Sequence, residues 1–229
     1  MTGESGQCAP IETFPALREV PGLRHAFLGR VPGLDVTVDR DVAMRRLENH
    51  HHIARRTLGL DEKRFIFGEQ VHGAQVAVVA ADDHAPIVGV DGLITAHPGV
   101  VLGVYAADCC AVYLVDPERR VIGLLHSGRK GTEAAITSAA IRRMVSDVGC
   151  DPARMVAQLS PCIRPPHYEI DFAAEIRAQC AREGVATIAD AGTCTACHLD
   201  RYYSYRAEKG KTGRMLALLT LDVRPLTGV

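Results

Sequence analysis

The chain has 229 residues, a formal net charge of -1 and 23% charged residues, so it is neither strongly basic nor strongly acidic. This balance excludes wholesale nucleic-acid binding driven by charge, and the absence of tryptophan leaves little for stacking on bases. No apolar run approaches membrane-spanning length, and the N-terminus lacks the pattern of a secretory signal. We expect one cytoplasmic domain spanning residues 1–229, with residues 1–20 peripheral and the eight cysteines reduced.

The first strong periodic pattern is helical. Apolar residues at helical spacing predict a helix over 41–58, with Asp41 as its N-cap and Gly59 as its stop. This helix carries the histidine triplet at 50–52, which invites a metal interpretation. Because consecutive helical positions lie about 100° apart around the axis, the three imidazoles cannot converge on one ion, and we assign them to the surface.

Apolar runs rich in β-branched residues predict a series of short buried strands. The earlier ones are residues 65–71, 76–80, 100–106, 111–115 and 121–125. Turn residues after Asp116 predict that the last two of these form a hairpin. Further along, helical periodicity predicts helices that begin near Thr132 and Asp171, and apolar runs predict strands over 155–159 and 215–221.

Polar side chains stand where several of these strands end. His72 follows the first strand, Asp108 and Cys109 follow the third, and His126 follows the fifth. Two imidazoles and one thiolate form a sufficient ligand set for zinc and leave one coordination position for water or substrate. Zinc in such a site lowers the pKa of bound water towards neutrality. The three donors are far apart in sequence, so spacing alone does not establish that they meet.

A glycine-rich basic segment follows His126. Free N–H groups at a helix start, the positive end of the helix dipole and two adjacent cations make a good anion site, with phosphate as the obvious ligand. A plain loop with a solvated arginine and lysine is the other interpretation of the same residues. The segment reads Ser127-Gly128-Arg129-Lys130-Gly131 and leads into the helix that begins near Thr132.

One cysteine motif has the spacing of a cofactor site. Cys194-Thr195-Ala196-Cys197-His198 matches haem c attachment, but that attachment requires export to an oxidising compartment. A zinc site would need two further ligands at suitable spacing, and a second CxxC is absent from the sequence. We therefore assign no cofactor to these residues.

Six segments of the chain carry recognisable motifs in a fixed order. They are Gln70-Val71-His72-Gly73, Asp91-Gly92-Leu93-Ile94-Thr95, Ala107-Asp108-Cys109, His126-Ser127-Gly128-Arg129-Lys130-Gly131, Ser160-Pro161-Cys162-Ile163, and Tyr203-Ser204-Tyr205-Arg206 with Thr212-Gly213-Arg214-Met215. Together they resemble the laccase-domain family, also called YfiH or DUF152, whose members have been described as polyphenol oxidases and as purine nucleoside phosphorylases. The family's N-terminal F-S-T-R segment falls on residues 27–30.

The resemblance implies an α+β fold in which a single domain carries mixed β-sheets layered between helices. It implies that His72, Cys109 and His126 bind zinc, with copper as the less favoured metal. It also implies that phosphate cleaves adenosine, inosine, guanosine or methylthioadenosine to a base and a ribose 1-phosphate, and that adenosine deamination is a second activity. The partners are then a nucleoside and inorganic phosphate, with neither nucleic acid nor membrane.

On this hypothesis the catalytic residues are Asp108, Cys109 and His126, and Asp108 transfers the proton to the leaving base. The chain departs from the family in reading HSGRKG for HAGWRG and in keeping one arginine where the family has two. These departures bear on substrate preference more than on the metal ligands. Phosphate and substrate contacts are assigned to Arg30, Gln70, Ser127, Gly128, Arg129, Lys130, Gly131, Arg206 and Arg214.

Three other functions use the same residues. In a cysteine hydrolase or amidase, Cys109 would be the nucleophile and His126 its base. Copper-dependent phenol oxidation needs imidazoles grouped around several coppers, and outside 50–52 no two histidines lie near each other in sequence. A non-catalytic interaction module stabilised by zinc would have its fourth coordination position filled.

Overall fold

A computed structural model describes residues 9–222, so residues 1–8 of the segment predicted to be peripheral (1–20) lie outside the described part of the chain. In the rest of that segment, Phe14, Leu17 and Val20 are buried in the core. Within residues 9–222, no helix is long and apolar enough to cross a membrane. The strands are β1 (Ile11–Glu12), β2 (Leu23–Leu28), β3 (Arg64–Phe67), β4 (Val76–Val78), β5 (Gly92–Thr95), β6 (Val100–Ala106), β7 (Cys110–Asp116), β8 (Val121–Ser127), β9 (Val156–Leu159), β10 (Thr187–Asp190) and β11 (Met215–Leu221). The helices are α1 (Pro15–Arg18), α2 (Arg40–Thr57), α3 (Arg129–Glu133), α4 (Ile136–Val148) and α5 (Phe172–Arg182), with short 3-10 helices at Pro152–Arg154 and Thr195–Cys197.

The strands form two mixed sheets. One has five strands in the order β1-β2-β11-β6-β3, and the other has six in the order β10-β9-β7-β8-β5-β4. Three described pairs are parallel, namely β3 with β6, β4 with β5 and β10 with β9, and the other pairs are antiparallel. The predicted hairpin is confirmed, because β7 and β8 pair antiparallel across the turn after Asp116.

Side chains alternate across β7, and both faces of this strand are buried. Tyr113 faces the five-stranded sheet, where its hydroxyl donates to the carbonyl of Ala26 at 2.9 Å. Val112 and Leu114 point the other way, into a second core that includes apolar residues of α4 and α5. Burial on both faces explains why the central strands read as continuous apolar runs. The expected layering of mixed sheets between helices is confirmed.

Helix α2 packs on the five-stranded sheet through its inward-facing residues. The ring of His51 lies 5.8 Å from that of Tyr105 on β6. The assignment of the triplet at 50–52 to the surface is therefore wrong for its central member, which is buried because the helical rotation turns that position towards the sheet. Burial, with the charge of Arg55, lowers the pKa of His51 to about 3.

The predicted strand over 65–71 is wrong in its extent. β3 ends at Phe67, where pairing with β6 stops. The next residue, Gly68, bridges to Ile87 instead. The motif that carries His72 therefore lies in a loop beyond the end of the strand.

The prediction that the glycine-rich segment is a loop is also wrong, because the chain becomes helical at Arg129. The carbonyl of Gly128 accepts the N–H of Thr132 at 2.9 Å, which starts α3 inside the predicted loop. The long helix then begins only at Ile136, after Ala135 adopts a left-handed φ of 58°.

Candidate metal centre and active-site cavity

Strand register brings Cys109, His126 and Asp91 together at one end of the six-stranded sheet. β5 and β7 both pair with β8, which ends at these residues. The N–H of His126 donates to the carbonyl of Asp91 at 2.7 Å. On the other side, a Cβ at Gly128 would lie 2.3 Å from Sγ of Cys109, so the close approach of the cysteine to β8 requires glycine there.

The carboxylate of Asp91 connects two of the predicted ligands. It accepts the backbone N–H groups of Val71, His72 and Gly73 at 3.1, 3.0 and 2.7 Å. These bonds hold His72 at a left-handed φ of 62°, which is unfavourable for a residue other than glycine. The same carboxylate accepts Nδ1–H of His126 at 2.8 Å, which leaves Nε2 of that ring for a metal.

His72, Cys109 and His126 form a cluster that could hold one metal ion. Each offers one ligand atom, and these atoms all lie within 4.8 Å of one another. The two imidazole rings are 4.8 Å apart and inclined at 78°. His126 is buried, whereas His72 is exposed, so one side of the cluster faces the protein and the other is accessible. Two imidazoles and a thiolate suit zinc or copper, so these residues fit the metal that the resemblance implies.

Cys109 and His126 ionise as a pair. Burial raises the pKa of the Cys109 thiol, but the charge and hydrogen bonds of His126, with those of His72, bring this pKa down to about 6. Burial lowers the pKa of His126, but the Cys109 thiolate and the Asp91 carboxylate raise it to about 9. The pair is therefore thiolate and imidazolium near neutral pH, and metal binding would release the imidazolium proton.

The cluster opens into a cavity of about 990 Å³. Positive charge exceeds negative charge among the described residues that line it, and several of its walls are aromatic. Such a lining suits a ligand that combines an anion with a flat ring. The basic residues are Arg40, Arg129, Lys130, Arg206, Lys209 and Arg214, the acidic residues are Asp108 and Glu133, and the aromatic residues are Tyr105, Tyr168, Phe172 and Tyr205.

Arg214 is held in the cavity wall close to the charge of a second arginine. It donates to the carbonyls of Thr212 and Gly213, and its guanidinium lies 5.8 Å from the ring of Tyr205. Burial, and then the positive charge of Arg40, lowers the pKa of Arg214. Two like charges near each other cost free energy that a bound anion would relieve.

Two predicted site residues line the cavity with their polar atoms already bonded to the protein. Asp108 accepts the hydroxyl of Thr195 at 2.7 Å and the backbone N–H of Arg206 at 2.8 Å. The amide of Gln70 both donates to and accepts from the backbone of Tyr105, at 2.7 and 2.9 Å. Both side chains therefore hold the cavity wall in place.

The basic segment after His126 is divided between the cavity and the protein interior. Arg129 and Lys130 line the cavity, and Arg129 pairs with Glu133 at 2.9 Å. The hydroxyl groups of Ser127 and Thr132 are 2.8 Å apart and buried. Three predicted contacts, Ser127, Gly128 and Gly131, are thus outside the described cavity lining.

Arg30, another predicted phosphate contact, also lies outside the described cavity lining. Its guanidinium is 2.7 Å from the carboxylate of Glu208 and lies over the ring of Tyr203 at 4.4 Å. Its Nε donates to the carbonyl of Tyr202 at 3.1 Å. These contacts make Arg30 a packing residue that joins the end of β2 to the segment at 202–208.

Sequence reasoning missed several residues of this site. Asp91 stands in a turn signal and in a recognisable motif, but its hydrogen bonds to His72 and His126 depend on the fold. Arg40 and Tyr168 line the cavity from α2 and from the loop before α5, and nothing in their local sequence indicates this.

Comparison with known proteins identifies the family. The family model described as multi-copper polyphenol oxidoreductase laccase matches residues 33–175 and 167–222. The chain belongs to this laccase family. It is 34% identical over 200 residues to a purine nucleoside phosphorylase of Streptomyces coelicolor, covering 76% of this chain and 81% of that one. It is also 34% identical over 223 residues to a purine nucleoside phosphorylase of Deinococcus radiodurans, covering 86% and 85%.

Solved structures share the fold of this laccase-family chain. YfiH from Bacillus licheniformis has a TM-score of 0.80 at 22% identity, covering 90% of this chain and 95% of that one. YlmD from Geobacillus stearothermophilus has a TM-score of 0.80 at 23% identity, covering 92% and 94%. The α+β fold expected from the resemblance to YfiH is confirmed.

Proposed function

We propose that the protein cleaves purine nucleosides with inorganic phosphate, with zinc held by His72, Cys109 and His126. One observation carries the proposal: a metal-donor cluster opens into a cavity that combines excess positive charge with aromatic side chains. Phosphorolysis uses both features, because phosphate is an anion and a purine is a flat ring. The relatives named purine nucleoside phosphorylase support the same reaction. We place the protein in the cytoplasm, where the Cys109 thiol stays reduced.

Arg40, Arg214 and Lys130 bind the phosphate in this proposal. Arg129 contributes less, because Glu133 already pairs with it at 2.9 Å. A phosphate between Arg40 and Arg214 would relieve the repulsion between the two guanidinium groups and could accept paired hydrogen bonds from each. The phosphate would then be positioned for attack on C1′ of the ribose while the bond to the base breaks.

The departing purine must receive a proton or an equivalent positive charge. Asp108 is the proposed proton donor, since it lines the cavity next to Cys109. Its contacts with Thr195 and Arg206 would hold the carboxyl group at a fixed position beside the substrate. When bound, zinc supplies a Lewis acid at the same wall of the cavity.

The test is to incubate zinc-loaded protein with inosine, with and without inorganic phosphate, and to measure hypoxanthine and ribose 1-phosphate. We expect the two products in equal amounts and dependent on phosphate. Adenosine, guanosine and methylthioadenosine are tested in the same way, and ammonia released from adenosine measures the proposed deaminase activity. Cys109→Ser, which removes a metal ligand, should abolish both activities. No phosphate-dependent release of base from any of the four nucleosides would contradict the proposal.

A second candidate function, a cysteine hydrolase, is favoured by one observation. The side chains of Asp91, His126 and Cys109 form a chain of contacts. The carboxylate of Asp91 orients the imidazole of His126, and the imidazole lowers the pKa of the Cys109 thiol. This is the arrangement of an activated nucleophile with an oriented base. Metal-free protein that hydrolyses a thioester or amide substrate, and that zinc inhibits, would support the hydrolase over the phosphorylase.

A further inference from the structure

A second cluster of metal-binding side chains lies outside the cavity. Cys194 directly precedes the short 3-10 helix at 195–197, and Cys197 is the last residue of that helix. His167 lies in the loop before α5. The ligand atoms of these three residues all lie within 4.8 Å of one another. In the sequence alone, this CxxC lacks two further ligands at suitable spacing. The fold supplies one from 27 residues upstream of Cys194.

Two ligand-atom distances in this cluster are close to those around a tetrahedral zinc ion. Nδ1 of His167 is 3.4 Å from Sγ of Cys197 and 3.9 Å from Sγ of Cys194. Ordinary zinc–sulfur and zinc–nitrogen bond lengths at a tetrahedral angle place the two ligand atoms about 3.6 Å apart. The observed distances fall on either side of that value, so small side-chain shifts would complete the site. Two thiolates would neutralise a divalent cation.

The backbone around the cluster is fixed from both sides. The backbone of Cys194 forms an isolated parallel β-bridge with that of Cys162. In this bridge the N–H of Thr195 donates to the Cys162 carbonyl at 3.1 Å. The N–H of His167 donates to the carbonyl of Arg164 at 2.9 Å, and Arg164 pairs with Asp190 at the end of β10 at 2.5 Å. The ligand-bearing loops are therefore held near each other before any ion binds.

We propose that His167, Cys194 and Cys197 form a second metal site that binds a zinc-type divalent ion. The bound ion fastens the loop at 164–168 to the segment at 194–197, and water fills the fourth coordination position. A metal ion at the second site would also hold part of the cavity wall, because residues next to its ligands contact or line the cavity. Thr195 donates to Asp108 at 2.7 Å, and Tyr168 lines the cavity. The proposal does not depend on the reaction catalysed in the cavity.

Measuring the zinc content of the protein by elemental mass spectrometry tests whether the second site binds metal. Protein purified under reducing conditions and equilibrated with zinc, then with a weak chelator, should retain about two ions per chain. The zinc content should fall to about one ion per chain when either site is removed, by Cys197→Ser or His167→Gln at the second site or by His72→Ala with Cys109→Ser at the first. A variant that lacks ligands at both sites should retain about zero ions. Cys197 and His167 are exposed, so these variants should fold.

Two controls and two contrary outcomes make the test decisive. His52→Gln removes an exposed histidine of α2, and Cys180→Ala removes a buried thiol of α5, and both should keep the wild-type zinc content. Unchanged zinc content in Cys197→Ser would overturn the proposal. A disulfide between Cys194 and Cys197 in the reduced preparation, seen as a mass lower by two hydrogen atoms, would overturn it as well.

Hydrogen exchange supplies a readout that zinc content alone does not. Amides in 164–168 and 194–198 should exchange more slowly when zinc is added to the wild-type chain, because the ion joins the two segments. The Cys197→Ser variant should show no such slowing, while exchange near His72 should still respond to zinc. Identical exchange of both segments with and without zinc would contradict a fastening role.

Discussion

The two histidine–cysteine clusters have similar ligands and different supports. The first cluster lies where β5, β7 and β8 end together, and the buried carboxylate of Asp91 orients two of its ligands. The second cluster lies on loops, with exposed His167 and Cys197 and no carboxylate among its described ligand contacts. Sheet register can therefore hold metal ligands in position without a metal, whereas ligands on loops need the bound metal to fix their positions.

One hydrogen bond joins the two clusters and gives the largest expected effect. Asp108, beside Cys109, accepts the hydroxyl of Thr195, beside Cys194. Asp108→Asn keeps the size of the side chain, and Thr195 can accept from the new amide, so both loops should stay in place. If Asp108 is the proton donor, kcat should fall about 100-fold while the KM for inosine stays unchanged.

Zinc content separates this outcome from a structural one. Asp108→Asn should keep the wild-type zinc content at both clusters. Loss of zinc from the second cluster together with a higher KM would show that Asp108 acts mainly by holding Thr195.

Removing the carboxylate of Asp91 should break the support that distinguishes the first cluster. Asp91→Asn loses a charged acceptor for His126 and for the 71–73 backbone, so zinc affinity at the first cluster should fall about 10- to 100-fold. The second cluster should keep its zinc. Competition with a chromophoric chelator measures both affinities.

Asp116 offers a matched control for this variant. It is also buried and accepts three backbone N–H groups, those of Glu118, Arg119 and Asp151, away from either cluster. Asp116→Asn should lower the free energy of unfolding by about 2 kcal/mol without changing zinc affinity. Equal zinc loss in Asp91→Asn and Asp116→Asn would show that Asp91 acts through general stability.

Crowding the first cluster should have a smaller, local effect. A Cβ at Gly128 would lie 2.3 Å from Sγ of Cys109, so Gly128→Ala must displace the thiolate and should weaken zinc binding at this cluster about tenfold. Gly73→Ala is the control, because its Cβ would meet Asp91 and Val71 at 3.6 Å, an ordinary contact. The same chelator titration should find the second cluster unchanged in both variants.

The cationic cavity beside the first cluster can be tested through phosphate. Arg214→Gln should raise the KM for phosphate about tenfold, with a smaller change in kcat, because a charge-assisted hydrogen bond is lost. Arg30→Gln is the matched control. Arg30 is held by Glu208 and Tyr203 outside the described lining, so its loss should lower stability and leave the KM for phosphate unchanged. A larger KM effect at Arg30 would reverse this assignment.

Thiol reactivity in metal-free protein should separate the clusters by pH. The pKa of Cys109 is lowered to about 6, so its thiolate forms as pH rises past 6 and iodoacetamide labelling should level off above pH 7. The hydrogen bond with Cys194 raises the pKa of Cys197, so its labelling should keep rising up to pH 9 and beyond. Mass spectrometry of the labelled peptides measures both profiles. Coincident profiles would contradict the ionic pairing of Cys109 with His126.

Local sequence patterns predict the three central strands and α5, whose apolar side chains face the protein interior. The strands over 100–106, 111–115 and 121–125 were predicted because burial on both faces leaves an unbroken apolar run, and α5 was predicted because Asp171 caps it. His72, Cys109 and His126 are predicted from polar residues at strand ends and from the motif resemblance, and the structure brings their ligand atoms together.

Tertiary structure decided which residues meet. Four features of the molecule depend on contacts between elements far apart in sequence. They are the burial of His51, the hydrogen bonds of Asp91, the position of Arg40 in the cavity wall, and the proximity of His167 to the cysteines of the CxxC. Arg30, predicted from its motif to contact phosphate, pairs with Glu208 outside the described cavity lining. The physical reason is that strand and helix propensities depend on near neighbours in sequence, whereas these contacts depend on strand register and on how the layers pack.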